Sequence, residues 1–313
     1  MPTVSVIVPN YNHARFLPGR LESIFNQTFL DFEVILLDDF STDNSRSVIE
    51  SFRDHPKLIH ILYNEKNSGS TFKQWQKGLE LAKGKYIWIA ESDDVADPDF
   101  LKILSAALEE YQSASIAYCQ SVVINASDRV LYSNEKWTRD VNYVDWSKPF
   151  QIRGEDAIRN MFIFKNIIPN ASAVLFRREM LKNLTADFTQ FKYTGDWLVW
   201  IEGLTSGGLY YTPLQLNKFR IHENVTRKRK TIEKNAKYLL EIYSIHKHVS
   251  KKIAVPLDLK KRSLDYLAGK VYREMRIQKF LTARGFLLVC KLQLYDPLLL
   301  WRLLKYIFKK TKN

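Results

Sequence analysis

KYIWIAESDD, residues 85–94, is an apolar run that passes without Gly or Pro into four polar residues, three of them acidic. Six residues of this kind bounded by a polar turn read as a buried β-strand, with its last residues delivered to a strand end. Working outward, VSVIVP (4–9) is a second such run, followed by Tyr11-Asn12 and a helical spacing of Phe16, Leu17, Leu21, Ile24 and Phe25. FEVILL (32–37) is a third and ends in Asp38-Asp39, with Ser41-Thr42-Asp43 placed to cap a following helix. Residues 58–63 give a fourth strand, Asn67-Ser68-Gly69 a turn, and 71–82 a helix ended near Gly84. Alternating strands and helices predict an α/β fold with a mostly parallel central sheet flanked by helices. Ligands of such sheets collect at the carboxyl ends of the strands, so Tyr11, Asp39 and Asp93-Asp94 are expected to be neighbours in space.

For Asp43, Asp97 and Asp99 the spacing fits capping or turn formation. Asp93-Asp94 differ, because adjacent carboxylates repel unless a cation or donors offset their charge. A hard divalent cation, Mg²⁺ or Mn²⁺, takes oxygen ligands and is commonly shared with substrate phosphates, which suits a diphosphate ligand. No P-loop or Gly-rich dinucleotide fingerprint accompanies the strands, which argues against an ATPase or a dehydrogenase.

The chain has 313 residues and a net charge of +13, and the charge is uneven. Residues 223–313 hold 23 Lys and Arg against 7 Asp and Glu, a net +16, leaving residues 1–222 at −3. A near-neutral body with a basic, Leu- and Tyr-rich tail fits a catalytic domain carrying a surface-seeking segment better than a nucleic-acid groove. The boundary is placed near Glu223. After Pro297, LLLWRLLKYIFKK carries Arg302, Lys305, Lys309 and Lys312 at helical spacing, with Leu300, Leu303, Leu304, Ile307 and Phe308 largely opposite. That pattern predicts a helix lying in an anionic membrane interface, or packing its apolar face on the body. The RKRK cluster at 227–230 is expected near the active-site end. No stretch is long and apolar enough for a membrane span and no secretory leader is apparent, so a cytoplasmic chain with Cys119 and Cys290 reduced is expected.

Read in order, VSVIVPNYNHARFL (4–17), SIFNQTFLDFEVILLDDFSTDNS (23–45), NSG (67–69) and GLELAKGKYIWIAESDD (78–94) resemble the N-terminal half of the inverting family-2 glycosyltransferases of the GT-A fold, of the bacterial surface-polysaccharide type. Weaker matches are NASAVLFRR (170–178), TGDW (194–197) and FRIH (219–222). The resemblance implies a GT-A catalytic domain over 1–222, with a nucleotide-binding half (1–100) and an acceptor half (101–222), and a basic helical extension over 223–313. It implies that Pro9 and Tyr11 border a nucleotide base, that Asp39 accepts from a uracil or thymine imide, and that Asp93 lies near the ribose. Asp94 would bind the metal, Mn²⁺ or Mg²⁺, with His222 near the metal or diphosphate and Arg220 supporting the loop. Asp196 would be the catalytic base. The implied reaction moves a sugar from a UDP- or dTDP-sugar, with inversion, to a glycan or lipid-linked glycan at the inner face of the plasma membrane, with no nucleic-acid partner.

Other readings stay open at this point. Asp196 also suits a helix N-terminus, His222 a surface histidine, and Tyr11 ordinary packing. Lys73 and Gln76 are placed to reach the nucleotide or solvent, and Trp137, Trp146 and Trp197 to line the acceptor side or pack. Two competing functions are a sugar-phosphate nucleotidyltransferase, which would show a Gly-rich basic loop where this chain has PNYNH, and a non-enzymatic lipid- or nucleic-acid-binding basic module.

Overall fold

The computed structural model describes residues 1–184, 187–223, 231–280 and 282–311. The N-terminal half alternates as the sequence predicts: β1 (Val4–Asn10), α1 (Leu17–Phe25), β2 (Phe32–Asp38), α2 (Ser45–Ser51), β3 (Leu58–Tyr63), α3 (Thr71–Leu81) and β4 (Tyr86–Ile89). There follow β5 (Val95–Ala96), α4 (Phe100–Glu110), β6 (Ala114–Ile124), β7 (Val130–Ser133), β8 (Phe150–Arg153), α5 (Gly154–Ala157), β9 (Val174–Arg177), α6 (Gly195–Leu204) and β10 (Gly208–Arg220). The C-terminal part is helical: α7 (Ile232–Lys252), α8 (Leu257–Phe280), α9 (Ala283–Gln293) and α10 (Leu299–Thr311).

One sheet runs through the molecule in the order β3-β2-β1-β4-β9-β6-β10-β5, with β7 on β6 and β8 on β10. Strands β3, β2, β1 and β4 are parallel, because each returns through a helix; β9 enters antiparallel to both β4 and β6, so the sheet is mixed beyond β4. Residues of β1 alternate between two cores. Val4, Val6 and Val8 face α1, α2 and α4, whereas Ile7 joins Ile35, Leu37 and Ile89 under α3 and α6. Gly78 makes this close packing of α3 possible, since a Cβ there would lie 2.3 Å from the Ile7 side chain.

The C-terminal helices do not stand apart. Leu239, Ile242, Tyr243 and Val249 of α7, with Leu267 and Val271 of α8, belong to the same apolar core as Trp200 of α6 and Phe176 of β9. The helix at the end is divided differently from its charge pattern. Arg302 is buried, paired with Asp296 at 3.1 Å and with Asp265, and Leu299 and Leu303 are buried beside it. The two carboxylates draw Arg302 inward, so it leaves the expected basic face. What α10 exposes is the stripe Leu300, Trp301, Leu304, Lys305 and Phe308. Lys312 lies outside the described residues.

Candidate active site

The parallel register sets the donor side of the site. Pro9 lies opposite Leu37 and Asn10 opposite Asp38, so the loops after β1 and β2 emerge side by side. Asn10 Nδ2 donates to Asp38 at 2.8 Å, and Asn12, at φ 55°, accepts from the Thr42 N–H at 2.7 Å. Phe40 is held at φ 62°, a left-handed conformation that costs a bulky side chain energy and is sustained here by the Asp38–Ser41 bonds flanking it. The constraint fixes Asp39 next to it. Buried Asp39 accepts from Asn64 Nδ2 at 2.6 Å, Ser68 N and Oγ at 2.8 Å, and Gln74 Nε2 at 2.9 Å. Tyr11 is 45% exposed at the rim. Pro9, Tyr11, Asp39, Asp93, Asp94, Asp196 and His222 all line one cleft of about 610 Å³.

At its floor the end of β4 concentrates charge. Glu91 accepts from Trp75 Nε1 at 2.9 Å; burial, and then the charge of Asp93, push its carboxyl up to about 8. Asp94 is buried and engaged on both oxygens, by the Arg220 N–H at 2.9 Å and by Asn170 Nδ2 at 2.8 Å. Burial and the Asp93 charge raise it to about 6. Asp93 goes the other way: burial pushes it up, but the 3.0 Å hydrogen bond with His222 and the charges of His13 and His222 outweigh that and hold it below the usual carboxylate range. Beneath them Arg20 is completely buried, 4.7 Å over the Trp88 ring, with none of the described residues hydrogen-bonding its guanidinium. Burial lowers it to about 10, and its charge opposes those of Asp94, Asp93 and Glu91.

His222 is grouped with Asp93 rather than with Asp94. Among the described residues His13, Asp93 and His222 offer ligand atoms all within 4.8 Å of one another. Ser92 Oγ sits 2.8 Å from His13 Nδ1 and orients the ring. One carboxylate with two imidazoles offers a divalent cation a mixed donor set of oxygen and nitrogen. Arg220 supports the loop as expected, through the Asp93 carbonyl at 2.6 Å, the Asn125 carbonyl at 2.9 Å and Asp128 at 2.6 Å.

Across the cleft Asp196 lies in the first turn of α6 and accepts from Asn166 Nδ2 at 2.9 Å. Lys192 and Tyr193, just upstream, also line the cleft. Lys73 and Gln76 are exposed, and the residues of α3 that face the site are instead Gln74 and Trp75. None of Trp137, Trp146 and Trp197 lines the cleft; each donates its indole N–H to a nearby carbonyl, of Asn166, Val141 and Phe162 respectively. Trp146 and Trp197 pack against the apolar core, and the Trp137 ring lies under the Lys165 ammonium at 4.7 Å. His13, Glu91, Asn170 and Lys192 were not singled out from sequence, although three of them sit inside the quoted motifs. The 227–230 cluster lies outside the described residues.

Comparison with known proteins agrees with this architecture. The family model for glycosyl transferase family 2 matches residues 5–185. The putative teichuronic acid biosynthesis glycosyltransferase TuaG of Bacillus subtilis is 36% identical over 101 residues, 32% of this chain and 40% of that protein, so the chain spans well under half of that relative's length. Among solved structures, Staphylococcus aureus TarS 1–349 in complex with UDP-GlcNAc superposes with a TM-score of 0.69 at 18% identity, covering 94% of this chain and 80% of that one. The mannosyltransferase PcManGT of Pyrobaculum calidifontis, in complex with GDP-Man and Mn²⁺, gives 0.58 at 18% identity over 98% and 85%. The chain belongs to glycosyl transferase family 2 and has the GT-A fold.

Proposed function

We propose that this family-2 glycosyltransferase transfers one sugar with inversion from a UDP- or dTDP-sugar to a hydroxyl of a glycan or lipid-linked glycan in cell-surface polysaccharide synthesis. The observation that carries the reading is the convergence of Tyr11 and Asp39, of Asp93 with His222, and of Asp196 on one cleft. Tyr11 and Pro9 border the base, and Asp39 accepts its imide N–H, which adenine and cytosine do not offer. Asp93, His222 and His13 would hold Mn²⁺ or Mg²⁺ in place of the expected Asp94, whose two oxygens are taken by the Arg220 N–H and by Asn170 and which ties the loop to β10 instead. When bound, such a cation neutralises charge on the diphosphate. Asp196 takes the proton of the acceptor hydroxyl as its oxygen bonds to the anomeric carbon; the bond from that carbon to the phosphate oxygen breaks, and the nucleoside diphosphate leaves with the electron pair.

The α10 stripe, with Trp301 under Lys305 at 5.2 Å, supports peripheral association with an anionic membrane surface on the cytoplasmic side. Among the described residues no helix is long and apolar enough to cross a membrane. The nucleotide reading is tested by calorimetry with UDP, dTDP, GDP, CDP and ADP, with and without Mn²⁺. UDP or dTDP is expected to bind, and to bind more weakly without metal or in Asp93→Asn. Binding of no diphosphate under any condition overturns the reading.

A further inference from the structure

We propose that Glu241, on α7, is a positioning residue for the transfer reaction, and that the C-terminal helices are thereby part of the active site. The inference rests on the reading of Asp196 as the base. The segment leading into α6 has no strand partner, so its backbone N–H groups need acceptors from elsewhere. Glu241 supplies them. Its buried carboxylate accepts from the Lys192 N–H at 2.8 Å on one oxygen, and from the Tyr193 N–H at 2.9 Å, the Thr194 N–H at 3.2 Å and the Thr194 hydroxyl at 3.2 Å on the other. Only a carboxylate can accept on both oxygens at once and present no donor to three consecutive N–H groups.

The three residues it grips end two positions before Asp196, and two of them, Lys192 and Tyr193, face the cleft. Lys192 also donates its ammonium to the Gly69 carbonyl, so the gripped segment touches the turn whose Ser68 holds Asp39. Further along the same face of α7, His248 hydrogen-bonds Glu202 and Lys252 Nζ lies 3.8 Å from it; Glu202 is buried in the far half of α6. Positions 241, 248 and 252 fall on one helix stripe, so α7 holds α6 at both ends.

The test compares Glu241→Ala, Glu241→Gln and Asp196→Asn in the full chain. The readouts are turnover and KM for whichever UDP- or dTDP-sugar the wild type uses, UDP affinity with Mn²⁺, and amide exchange over 190–196. A base displaced by about an ångström loses rate rather than donor binding, so Glu241→Ala is expected to cut kcat about 30- to 100-fold with UDP affinity within about threefold. Glu241→Gln keeps one acceptor oxygen and is expected to lose less, about tenfold. Amides 192–194 are expected to exchange at least about tenfold faster in Glu241→Ala. If Glu241→Ala does not fold, the isosteric Glu241→Gln decides. Wild-type kcat and unchanged exchange in the folded variants overturn the inference, as does UDP affinity falling in step with kcat. Asp196→Asn inactive beside a fully active Glu241→Ala overturns the inference alone. An active Asp196→Asn overturns the base assignment and this inference with it.

Discussion

The two walls of the cleft are built on different principles. On the donor wall, Pro9, Asn10, Asp38 and Asp39 sit at the ends of hydrogen-bonded parallel strands, and Asp39 is held by side chains from 64, 68 and 74, all within the same half of the sheet. On the opposite wall, the segment before Asp196 has no ladder of its own and depends on one carboxylate from position 241. Sheet register places a side chain at no extra cost to the loop, whereas a loop without register must be gripped. The donor wall should therefore tolerate the loss of a single supporting contact behind its functional side chains, and the base wall should transmit such a loss to the rate.

The largest effects separate the walls most sharply. Asp196→Asn removes the proposed proton acceptor and is expected to lower kcat about 10³-fold or more, with UDP affinity retained. Asp93→Asn is expected to abolish the Mn²⁺-dependent part of UDP binding, along with activity. Stopped-assay turnover and calorimetry on the two variants check both. Equal losses of UDP affinity in the two would erase the distinction between the walls.

Most of the donor wall was legible because a strand that stops at an acidic pair has few places to put it. Strands β1, β2 and β4 are continuous buried runs that stop where the polar residues begin, so Asp39 and Asp93 follow from counting to the strand ends. The partner of His222 was harder. Asp93 and Asp94 are adjacent in sequence, and only the turn decides that Asp94 faces Asn170 and the Arg220 N–H while Asp93 faces His222. The base wall was legible only through the family motif at 194–197, and Glu241 not at all: its partners lie 47 to 49 positions away, and an isolated Glu in a basic helix looks like a solvated surface residue. Arg302 failed for the mirror-image reason, since helical spacing groups it with Lys305 and cannot show Asp265 and Asp296 waiting on a neighbouring face.

An intermediate effect tests whether the base wall inherits the chemistry of the helices that hold it. His246 of α7 is buried, 2.8 Å from Ser263 Oγ, and burial, then the charges of Lys260 and Arg302, lower it to about 4. The unfolded chain protonates this ring near 6.5 and the folded chain does not, so its contribution to stability is full above 6.5 and is lost as pH falls towards 4. At pH 5 the loss is about 2 kcal/mol. Urea unfolding of wild type and His246→Gln at pH 7 and pH 5 checks it: the variant should lose about 2 kcal/mol less than wild type over that interval. Identical losses would mean that the helices do not sense acid through this residue.

The smallest effect belongs to the best-supported side chain. Gln74→Ala deletes one of the donors on Asp39, a bond of 2.9 Å between buried groups, while Asn64 and Ser68 remain. A single neutral donor to a carboxylate that keeps its other partners is worth about 1 kcal/mol, so UDP affinity is expected to fall about fivefold with kcat nearly unchanged. Calorimetry and steady-state kinetics on the variant measure both. The contrast with Glu241 decides the comparison: there one side chain satisfies three backbone groups, and nothing else described replaces it. A Gln74→Ala enzyme that lost kcat as deeply as Glu241→Ala would show that the donor wall, too, is held by single contacts, and that register does less to place Asp39 than the parallel strands imply.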